Sequence, residues 1–347
     1  EYKKNKYLQS KICSSIVFNQ NTIHNSYGGV VPELAARAHT DKLDFSVEAA
    51  LKKSQYKLKD IDLISVTSGP GLIGGVLSGV MFAKALALGL NKPIVGVNHL
   101  AGHALSPLLV EKKITFPYLI LLASGGHCQF LMAENETTFK RIGSTIDDAP
   151  GEAFDKTANI LGLGYPGGPQ IEKRALRGNP NTYTFPKPLS GQKNCNMSFS
   201  GLKTALNREV KKVLSNEPKL SANVINDLCA SFQRTVKDIF VEKSLEAMSI
   251  FKTRYPQEQK FMALVGGVAA NKTIRKELES CAEGGNFKTV IPPIEFCTDN
   301  AAMIALAGAQ LYIKDEISTD SLIPRPRWPL DKTAPPLVGY GRKGTKS

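Results

Sequence analysis

Two histidines four residues apart, His99 and His103, have the spacing that most directly indicates chemistry. Positions i and i+4 share one face of a helix, so both imidazoles can reach one metal ion. The pair follows a short apolar strand, where α/β proteins place their sites. A capping or surface pair of histidines explains the same spacing equally well. Asp299, at the predicted start of a later helix, is a candidate third ligand, and N-capping of that helix is the alternative.

Glycine-rich turns after buried strands are a second group of candidates. The run Leu122–Gly126 ends an apolar strand in a Ser-Gly-Gly turn, where backbone N–H groups can approach an anion and Ser124 adds a hydroxyl. A plain tight hairpin is the alternative. A later strand leads through two glycines to Asn271, whose amide suits a nucleoside. Neither turn fits GxGxxG or the Walker pattern, which disfavours Rossmann and P-loop folds.

An acidic cluster and a serine-rich helix start complete the candidates. Four acids lie between Asp147 and Asp155, with glycines rather than lysines between them, as expected if they hold ribose hydroxyls or supply a base. The segment 198–204 carries Lys203, which suits a phosphate, although helix capping is the simpler explanation. Glu33 and Arg37 are four residues apart and are explained by an ion pair.

Strands and helices must alternate to position these residues. We predict strands over residues 61–67, 94–97, 117–123, 128–132 and 261–265. We predict helices over residues 32–54, 76–90, 222–251, 270–283 and 299–312, and another that begins near Asn98. Most of residues 146–201 is rich in Gly, Pro and Asn and is expected to form loops with short helices. The pattern favours an α/β protein built as two halves with a cleft between them.

Composition excludes several classes of protein. The chain has 347 residues, 44 lysines and arginines against 31 acids, a net charge of +13 and 42% hydrophobic residues. These values exclude a disordered or collagen-like chain, and the basic surplus favours a polyanionic partner such as nucleic acid. The six cysteines contain no CxxC pair, and scattered thiols fit a reducing compartment.

Targeting signals are not evident in the sequence. The N-terminal segment has no signal-peptide pattern. The longest apolar stretch, residues 63–90, contains Pro70 and Lys84 and is typical of a strand, a loop and a helix. We therefore expect a cytoplasmic protein with no membrane contact.

Eight short motifs follow one another along nearly the whole chain. They are YGGVVPE at 27–33, SGPGL at 68–72, NHLAGH at 98–103, SGGH at 124–127, GEAFDK at 151–156, YPGGP at 165–169, SFSGLK at 198–203 and Asp-Asn-Ala at 299–301. Together they resemble the bacterial branch of the TsaD family, the tRNA N6-adenosine threonylcarbamoyltransferases formerly described as glycoproteases.

The resemblance implies a fold and a set of ligands. The fold is the two-lobed α/β fold of actin, Hsp70 and sugar kinases (ASKHA), with a central ligand cleft. Lobe I covers residues 1–114, with 299–347 packing back on it, and lobe II covers 115–298. One divalent metal, Fe²⁺ or alternatively Zn²⁺, is implied at His99, His103 and Asp299. The implied substrate contacts are Leu122, Ala123, Ser124, Gly125, Gly126, Asp155, Gly168 and Asn271, with Asp155 and Ser124 as catalytic residues.

The implied reaction moves a threonylcarbamoyl group from threonylcarbamoyl-AMP to N6 of adenosine 37 in tRNAs that read ANN codons. Helper subunits are implied as well, an inactive paralogue (TsaB) and a small ATPase (TsaE). Two rival functions remain. A metallopeptidase would use the same histidines, but Leu100 occupies the place of the glutamate in HExxH. An ASKHA-type ATPase would use the glycine turns without the histidines.

The chain departs from the family at its beginning. The family normally opens with a strand carrying an Ile-Glu-Thr-Ser-Cys-Asp type motif, and nothing like it occurs here. Residues 11–17 resemble the strand that usually follows. Either the sequence starts after this strand or the strand is lost, and a missing strand would leave the first sheet with an open edge.

Overall fold

Seven strands form two sheets in the computed structural model, which describes residues 10–24, 30–315 and 322–335. The strands are β1 (Ile64–Gly69), β2 (Ile94–Asn98), β3 (Tyr118–Ala123), β4 (Cys128–Ala133), β5 (Phe139–Ser144), β6 (Phe261–Val265) and β7 (Lys288–Val290). β1 and β2 pair in parallel as a two-stranded sheet. The other five strands form a mixed sheet in the order β5-β4-β3-β6-β7.

Twelve α-helices surround these sheets in the described part of the chain. They are α1 (Asn21–His24), α2 (Pro32–Thr40), α3 (Leu43–Ser54), α4 (Ile73–Leu90), α5 (His99–Leu105), α6 (Pro150–Ile160), α7 (Gly167–Ala175), α8 (Ser200–Leu214), α9 (Ala222–Arg254), α10 (Lys272–Gly284), α11 (Ile294–Cys297) and α12 (Ala301–Ile313). Short 3₁₀ helices lie at Leu58–Asp60, Ser106–Leu109 and Gly267–Ala270.

The five-stranded sheet carries the main core because β3, β4 and β6 are buried along their whole length. An apolar strand covered on both faces reads as a continuous hydrophobic run, which explains why these strands were predictable. On one face they pack with α9 and residues such as Phe232 and Phe240; on the other they pack with Leu100 and Met303. The sheet is therefore enclosed between two helical layers.

The two-stranded sheet lies against α4 and α12. Helix α12 also packs on α5, so the segment after residue 299 returns to the elements that precede residue 114. This packing agrees with the predicted course of the chain, while the lobe boundaries themselves stay a prediction. The predicted motif residues Tyr27, Gly28 and Gly29 lie outside the described residues.

Three predictions about local structure are wrong. Residues 11–17 form no strand and pair with no strand in the described chain; residues 11–14 line a cavity together with α3 and α12. The predicted helix over 32–54 is two helices, because Lys42 N–H bonds to His39 O in a tighter turn that ends α2. The cap of α12 is Asn300 and not Asp299, since the Asn300 side chain accepts the N–H of Met303 at 3.0 Å.

A C-terminal segment, residues 325–335, crosses between the two sheets. Arg325 N–H donates to Ser68 O at 2.7 Å beside β1, and Asp331 Oδ2 accepts from Arg141 N–H at 3.0 Å on β5. Gly69 has φ +145°, and a Cβ there would lie 2.1 Å from the carbonyl oxygen of Arg325. A glycine is therefore required where this segment meets β1.

One helix in the described chain, α4 (Ile73–Leu90), is long and apolar enough to cross a membrane by length and composition alone. It packs on β1 and α2 along one side.

Candidate active site and metal centre

Helix α5 presents two imidazoles on one face. The helix begins immediately after β2, and Asn98 caps it because its side-chain oxygen accepts the N–H of Leu100 at 2.9 Å. His99 and His103 then lie one turn apart, with ring centroids separated by 4.7 Å. The predicted placement of this pair on a helix directly after a buried strand is confirmed.

Asp299 reaches this pair from the far end of the chain. Because Asn300 caps α12, the Asp299 carboxylate is not used as a cap. Its Oδ1 lies 3.3 Å from Nε2 of His99 and 3.1 Å from Nε2 of His103. The structure therefore brings together the three residues for which a shared metal was predicted.

The geometry of the cluster suits one metal ion. Two ligand atoms at 2.0–2.1 Å from a tetrahedral metal are roughly 3.3 Å apart, which matches both separations. The ligand atoms of all three residues lie within 4.8 Å of one another. His103 is fully buried, whereas 78% of the Asp299 side chain is exposed, so the cluster is held on one side and open on the other. Two imidazoles and one carboxylate, with an open side, are the ligand set of a catalytic metal centre.

The protonation states also favour metal binding. Burial lowers the pKa of His103 and outweighs the hydrogen bond that Asp299 accepts from this ring, so the imidazole is held neutral. The protein around Asp299 raises the pKa of its carboxyl group by desolvation, but hydrogen bonds with His103 and His99 outweigh this and hold the pKa well below its usual range. Neutral imidazoles and an ionised carboxylate are the forms that coordinate metal.

The β3–β4 hairpin ends in the predicted Ser-Gly-Gly turn. Ser124 is used within the turn itself: its N–H donates to His127 O at 2.8 Å, and its hydroxyl accepts the N–H of His127 at 3.1 Å. Gly125 and Gly126 are exposed, and their N–H groups have no partner among the described residues. Only two of the three predicted N–H donors are therefore available to an anion.

Two other glycines bring further predicted residues to this turn. A Cβ on Gly151, in the first turn of α6, would lie 2.6 Å from Cα of Gly125. A Cβ on Gly266, at the end of β6, would lie 2.4 Å from the carbonyl oxygen of Ala123. The turn is thus packed between the start of α6 and the diglycine that follows β6, and Leu122 is buried in β3 behind it.

Asp155 joins α6 to the start of α7. Its Oδ1 accepts the N–H of Gly167 at 2.7 Å, next to the predicted contact Gly168. Burial raises the pKa of Asp155, the Gly167 hydrogen bond opposes this, and nearby Glu152 adds to the rise. A partly buried carboxylate with a raised pKa, beside two glycine-rich turns, is a candidate base.

Asn271 is buried, with its amide already occupied. Its Oδ1 accepts the N–H of Ile274 at 3.0 Å as the cap of α10, and its Nδ2 donates to Gln233 Oε1 at 2.8 Å. Contact with a nucleoside therefore stays a prediction for this residue, whose observed role is to fix the turn after β6.

Sequence reasoning missed the groups that orient the site. Asn98 caps α5 and Asn300 caps α12, the helices whose starts position the cluster. Asparagine is a usual capping residue, and each of these two lies immediately beside a ligand in the sequence. Asp147 was assigned to an acidic site but holds the start of α8, accepting the N–H of Phe199 at 2.8 Å and the hydroxyl of Ser200 at 2.8 Å. An Asp–Ser contact across 53 residues leaves no local signal in the sequence.

The class of this α/β protein, with its two sheets, glycine turns and His-His-Asp cluster, follows from comparison with solved structures. The solved structure of T. kodakarensis HypF matches 81% of this chain and 45% of that chain, with a TM-score of 0.55 and 15% identity. A second solved structure, full-length HypF in a phosphate- and nucleotide-bound form, matches with a TM-score of 0.53 and 13% identity, over 79% of this chain and 49% of that one. The fold is the ASKHA fold that the sequence motifs implied.

The family follows from sequence similarity. The family model "TsaD: tRNA N6-adenosine threonylcarbamoyltransferase" matches residues 11–306. A protein of that name from Ruegeria sp. (strain TM1040) is 51% identical over 339 residues, which are 98% of this chain and 92% of that protein. One from Bartonella henselae is 51% identical over 344 residues, covering 97% and 93%. This chain belongs to the TsaD family of transferases, as predicted.

Proposed function

We propose that this protein transfers an L-threonylcarbamoyl group from threonylcarbamoyl-AMP to N6 of adenosine 37 in tRNAs that read ANN codons. A bond forms between N6 and the carbamoyl carbon, the bond from that carbon to the phosphate oxygen breaks, AMP leaves with the electron pair, and a base takes the N6 proton. The observation that carries the proposal is the convergence of His99, His103 and Asp299 in a chain of this family.

The three residues of the cluster would hold one divalent metal, Fe²⁺ in the first place and Zn²⁺ as the alternative. When bound, such an ion supplies Lewis-acid stabilisation to carbamoyl or carboxylate oxygens. N6 of adenine is a weak nucleophile because its lone pair is delocalised into the ring. Activation of the electrophile is therefore the larger task of the site.

The Ser-Gly-Gly turn supports a role in holding the acyl phosphate. The exposed N–H groups of Gly125 and Gly126 point at no other partner in the described chain and are suited to a phosphate oxygen. Loss of one donor of this kind costs about 3 kcal/mol of transition-state stabilisation. The hydroxyl of Ser124 instead braces the turn through His127.

Asp155 would either orient a substrate hydroxyl or accept the N6 proton. Its raised pKa suits a base better than an ordinary surface carboxylate would. The two roles differ in the pH–rate profile: a base gives a rising limb at the pKa of Asp155, whereas an orienting carboxylate gives a much weaker dependence.

An apolar stripe on α4 supports the need for helper subunits. Ile73, Leu77, Met81 and Leu88 lie on one helix face and are each about half or more exposed. A face of this kind is typical of a protein interface. We propose that the inactive paralogue covers it, and that a small ATPase completes the assembly; a tRNA substrate places the reaction in the cytoplasm.

The direct test is a complete reaction. The protein is incubated with unmodified tRNA, threonine, bicarbonate, ATP, an adenylate-forming synthase and both helper subunits, and the tRNA is digested to nucleosides. Threonylcarbamoyladenosine is expected with the wild-type protein and at most traces with His99→Ala. Absence of the nucleoside in the full mixture, with all components shown to be folded, contradicts the proposal. Cleavage of a protein substrate, or ATP hydrolysis unaffected by His99→Ala, would instead favour the peptidase or the ATPase.

A further inference from the structure

The positive charge of the chain is concentrated in one stretch. Residues 167–219 contain ten lysines and arginines and three acids, so this stretch of 53 residues supplies more than half of the net charge of +13. Helices α7 and α8 and the loop between them form it.

Helix α8 has apolar residues on its buried face and basic residues on its exposed surface. Leu202, Leu206 and Val210 form a buried stripe against the core. The exposed surface of the helix carries four basic residues, which we call the α8 basic surface: Lys203, Arg208, Lys211 and Lys212. Glu209 is the single acid of α8, and it is less exposed than the four cations.

The four basic side chains have no interaction partner in the described chain. None of them forms an ion pair or a side-chain hydrogen bond with another described residue, whereas Lys156, for comparison, lies 2.6 Å from Asp148. Surface cations without acidic partners leave their potential available to an outside anion. Lys203 and Lys212 are separated by about 13 Å along the helix, a length over which a nucleic-acid duplex presents several phosphates.

The α8 basic surface is fixed relative to the site. Asp147 holds the start of α8 through Phe199 N–H and through the hydroxyl and N–H of Ser200. Helix α8 also packs against α6, the helix that carries Asp155. A ligand bound along α8 is therefore held at a defined position with respect to Asp155 and the glycine turns.

We propose that the α8 basic surface binds the sugar–phosphate backbone of the tRNA substrate and so presents the anticodon loop to the site. This inference rests on the proposed function. An anionic membrane is the other polyanion to consider, but a helix that binds a bilayer inserts its apolar face, and here that face is buried in the protein core. Exposed cations on a helix whose buried face packs in the core instead suit phosphates.

The test replaces charge without changing helix propensity. A variant with Lys203→Gln, Arg208→Gln, Lys211→Gln and Lys212→Gln is compared with wild type for binding of an unmodified tRNA transcript across a range of salt concentrations. Each lost phosphate contact reduces the slope of log K against log salt by about 1, so we expect a reduction of roughly 3 to 4 and at least about a tenfold weaker affinity at low salt. Metal content and the thermal midpoint should not change.

Two matched controls accompany it. Lys52→Gln with Lys53→Gln removes exposed charge from α3 and should leave the slope unchanged. A variant with Lys203→Arg, Lys211→Arg and Lys212→Arg keeps the charge and should keep the binding. If the four-glutamine variant binds tRNA with the wild-type slope while wild type forms product, the inference is wrong and the proposed function stands. If wild type binds no tRNA even in the presence of both helper subunits, both are wrong. If the four residues are needed instead for binding vesicles of phosphatidylcholine with one-third phosphatidylserine, the membrane assignment replaces ours.

Discussion

The side chain of Asn98 joins α5, the helix that carries His99 and His103, to the C-terminal segment. Its Nδ2 donates a hydrogen bond of 2.9 Å to the backbone carbonyl of Trp328. The same amide group accepts the N–H of Leu100 through Oδ1 at 2.9 Å. Since Asn98 immediately precedes His99, the position of the first histidine depends on a contact 230 residues away in sequence. The segment that provides it is itself held to β1 and β5, which fixes the start of α5 from both sheets.

Asn98→Ala should weaken both the fold and the metal centre. Loss of the cap costs about 0.5–2 kcal/mol, and loss of a residue that orients a ligand costs about 10- to 100-fold in metal affinity. Urea unfolding measures the first effect and chelator competition the second. Asn98→Ser is the matched variant because serine keeps an acceptor for Leu100 N–H and loses the contact with Trp328. Unchanged metal affinity in Asn98→Ala would show that the cluster does not depend on this residue.

Asp299→Asn and Asn300→Ala should separate two functions of adjacent residues. Asparagine at 299 removes the anionic ligand while keeping the size of the side chain, so metal per chain, measured by elemental analysis, should fall from about one to well below one. Alanine at 300 removes the cap on Met303 N–H and should cost about 1 kcal/mol with metal retained. Equal metal loss in both variants would contradict the assignment of separate roles.

The sequence indicates the histidine pair because helical spacing is a local property, and β3, β4 and β6 because fully buried strands are continuous apolar runs. Asp299 meets His103 from 196 residues away. Its residue type and its position at a helix start make it a candidate ligand, but N-capping explains them as well, and the family resemblance decides between the two. Asp299 and Asn300 are both good capping residues, so local preference alone does not decide which of them caps α12. β5 was missed because its sequence, FKRIGS, has no clear alternation and becomes a strand through pairing with β4.

Gly151→Ala and Gly126→Ala should have different effects: the first should lower stability and the second should weaken binding. A Cβ on Gly151 would overlap Cα of Gly125 at 2.6 Å, so the variant must displace the Ser-Gly-Gly turn and lose stability by about 1–3 kcal/mol. A Cβ on Gly126 meets nothing within 4 Å, so this variant should fold normally. If the turn holds the acyl phosphate, Gly126→Ala should still bind an adenylate analogue more weakly, because the methyl group obstructs close approach to the backbone.

Calorimetric binding of a non-hydrolysable adenylate analogue, together with thermal unfolding, resolves these effects. A stable Gly126→Ala protein with wild-type affinity would remove the turn from the binding site. A Gly151→Ala protein of wild-type stability would show that the contact between α6 and the hairpin is looser than the structure has it.

Asp147 should make stability depend on pH in the acid range. Burial raises the pKa of its carboxyl group, but hydrogen bonds from Ser198, Phe199 and Ser200 outweigh this and lower the pKa below its usual value. A carboxyl whose pKa is lowered on folding stabilises the protein above its unfolded pKa of about 3.9, and this stabilisation is lost as pH falls through the folded pKa. Asp147→Ala should therefore be less stable than wild type at pH 7, by about 1–3 kcal/mol, and the difference should shrink below about pH 4. Urea unfolding at pH 7 and pH 3 measures it, and a difference that stays constant with pH contradicts the assignment.

Asp155 should make stability depend on pH in the opposite direction. Burial raises the pKa of its carboxyl group above the unfolded value, so ionisation is less favourable in the folded protein, and stability increases as pH falls from the folded pKa towards the unfolded one. Asp155→Asn removes the charge but keeps an acceptor for Gly167 N–H, so its free energy of unfolding at pH 7 should equal or exceed that of wild type, while turnover falls by about 10²-fold or more. Asp155→Ala leaves Gly167 N–H without its partner and should be destabilised by about 1–3 kcal/mol, which separates loss of charge from loss of the hydrogen bond. An Asp155→Asn protein with wild-type turnover would exclude the carboxylate from the reaction and reduce Asp155 to the residue that joins α6 to α7.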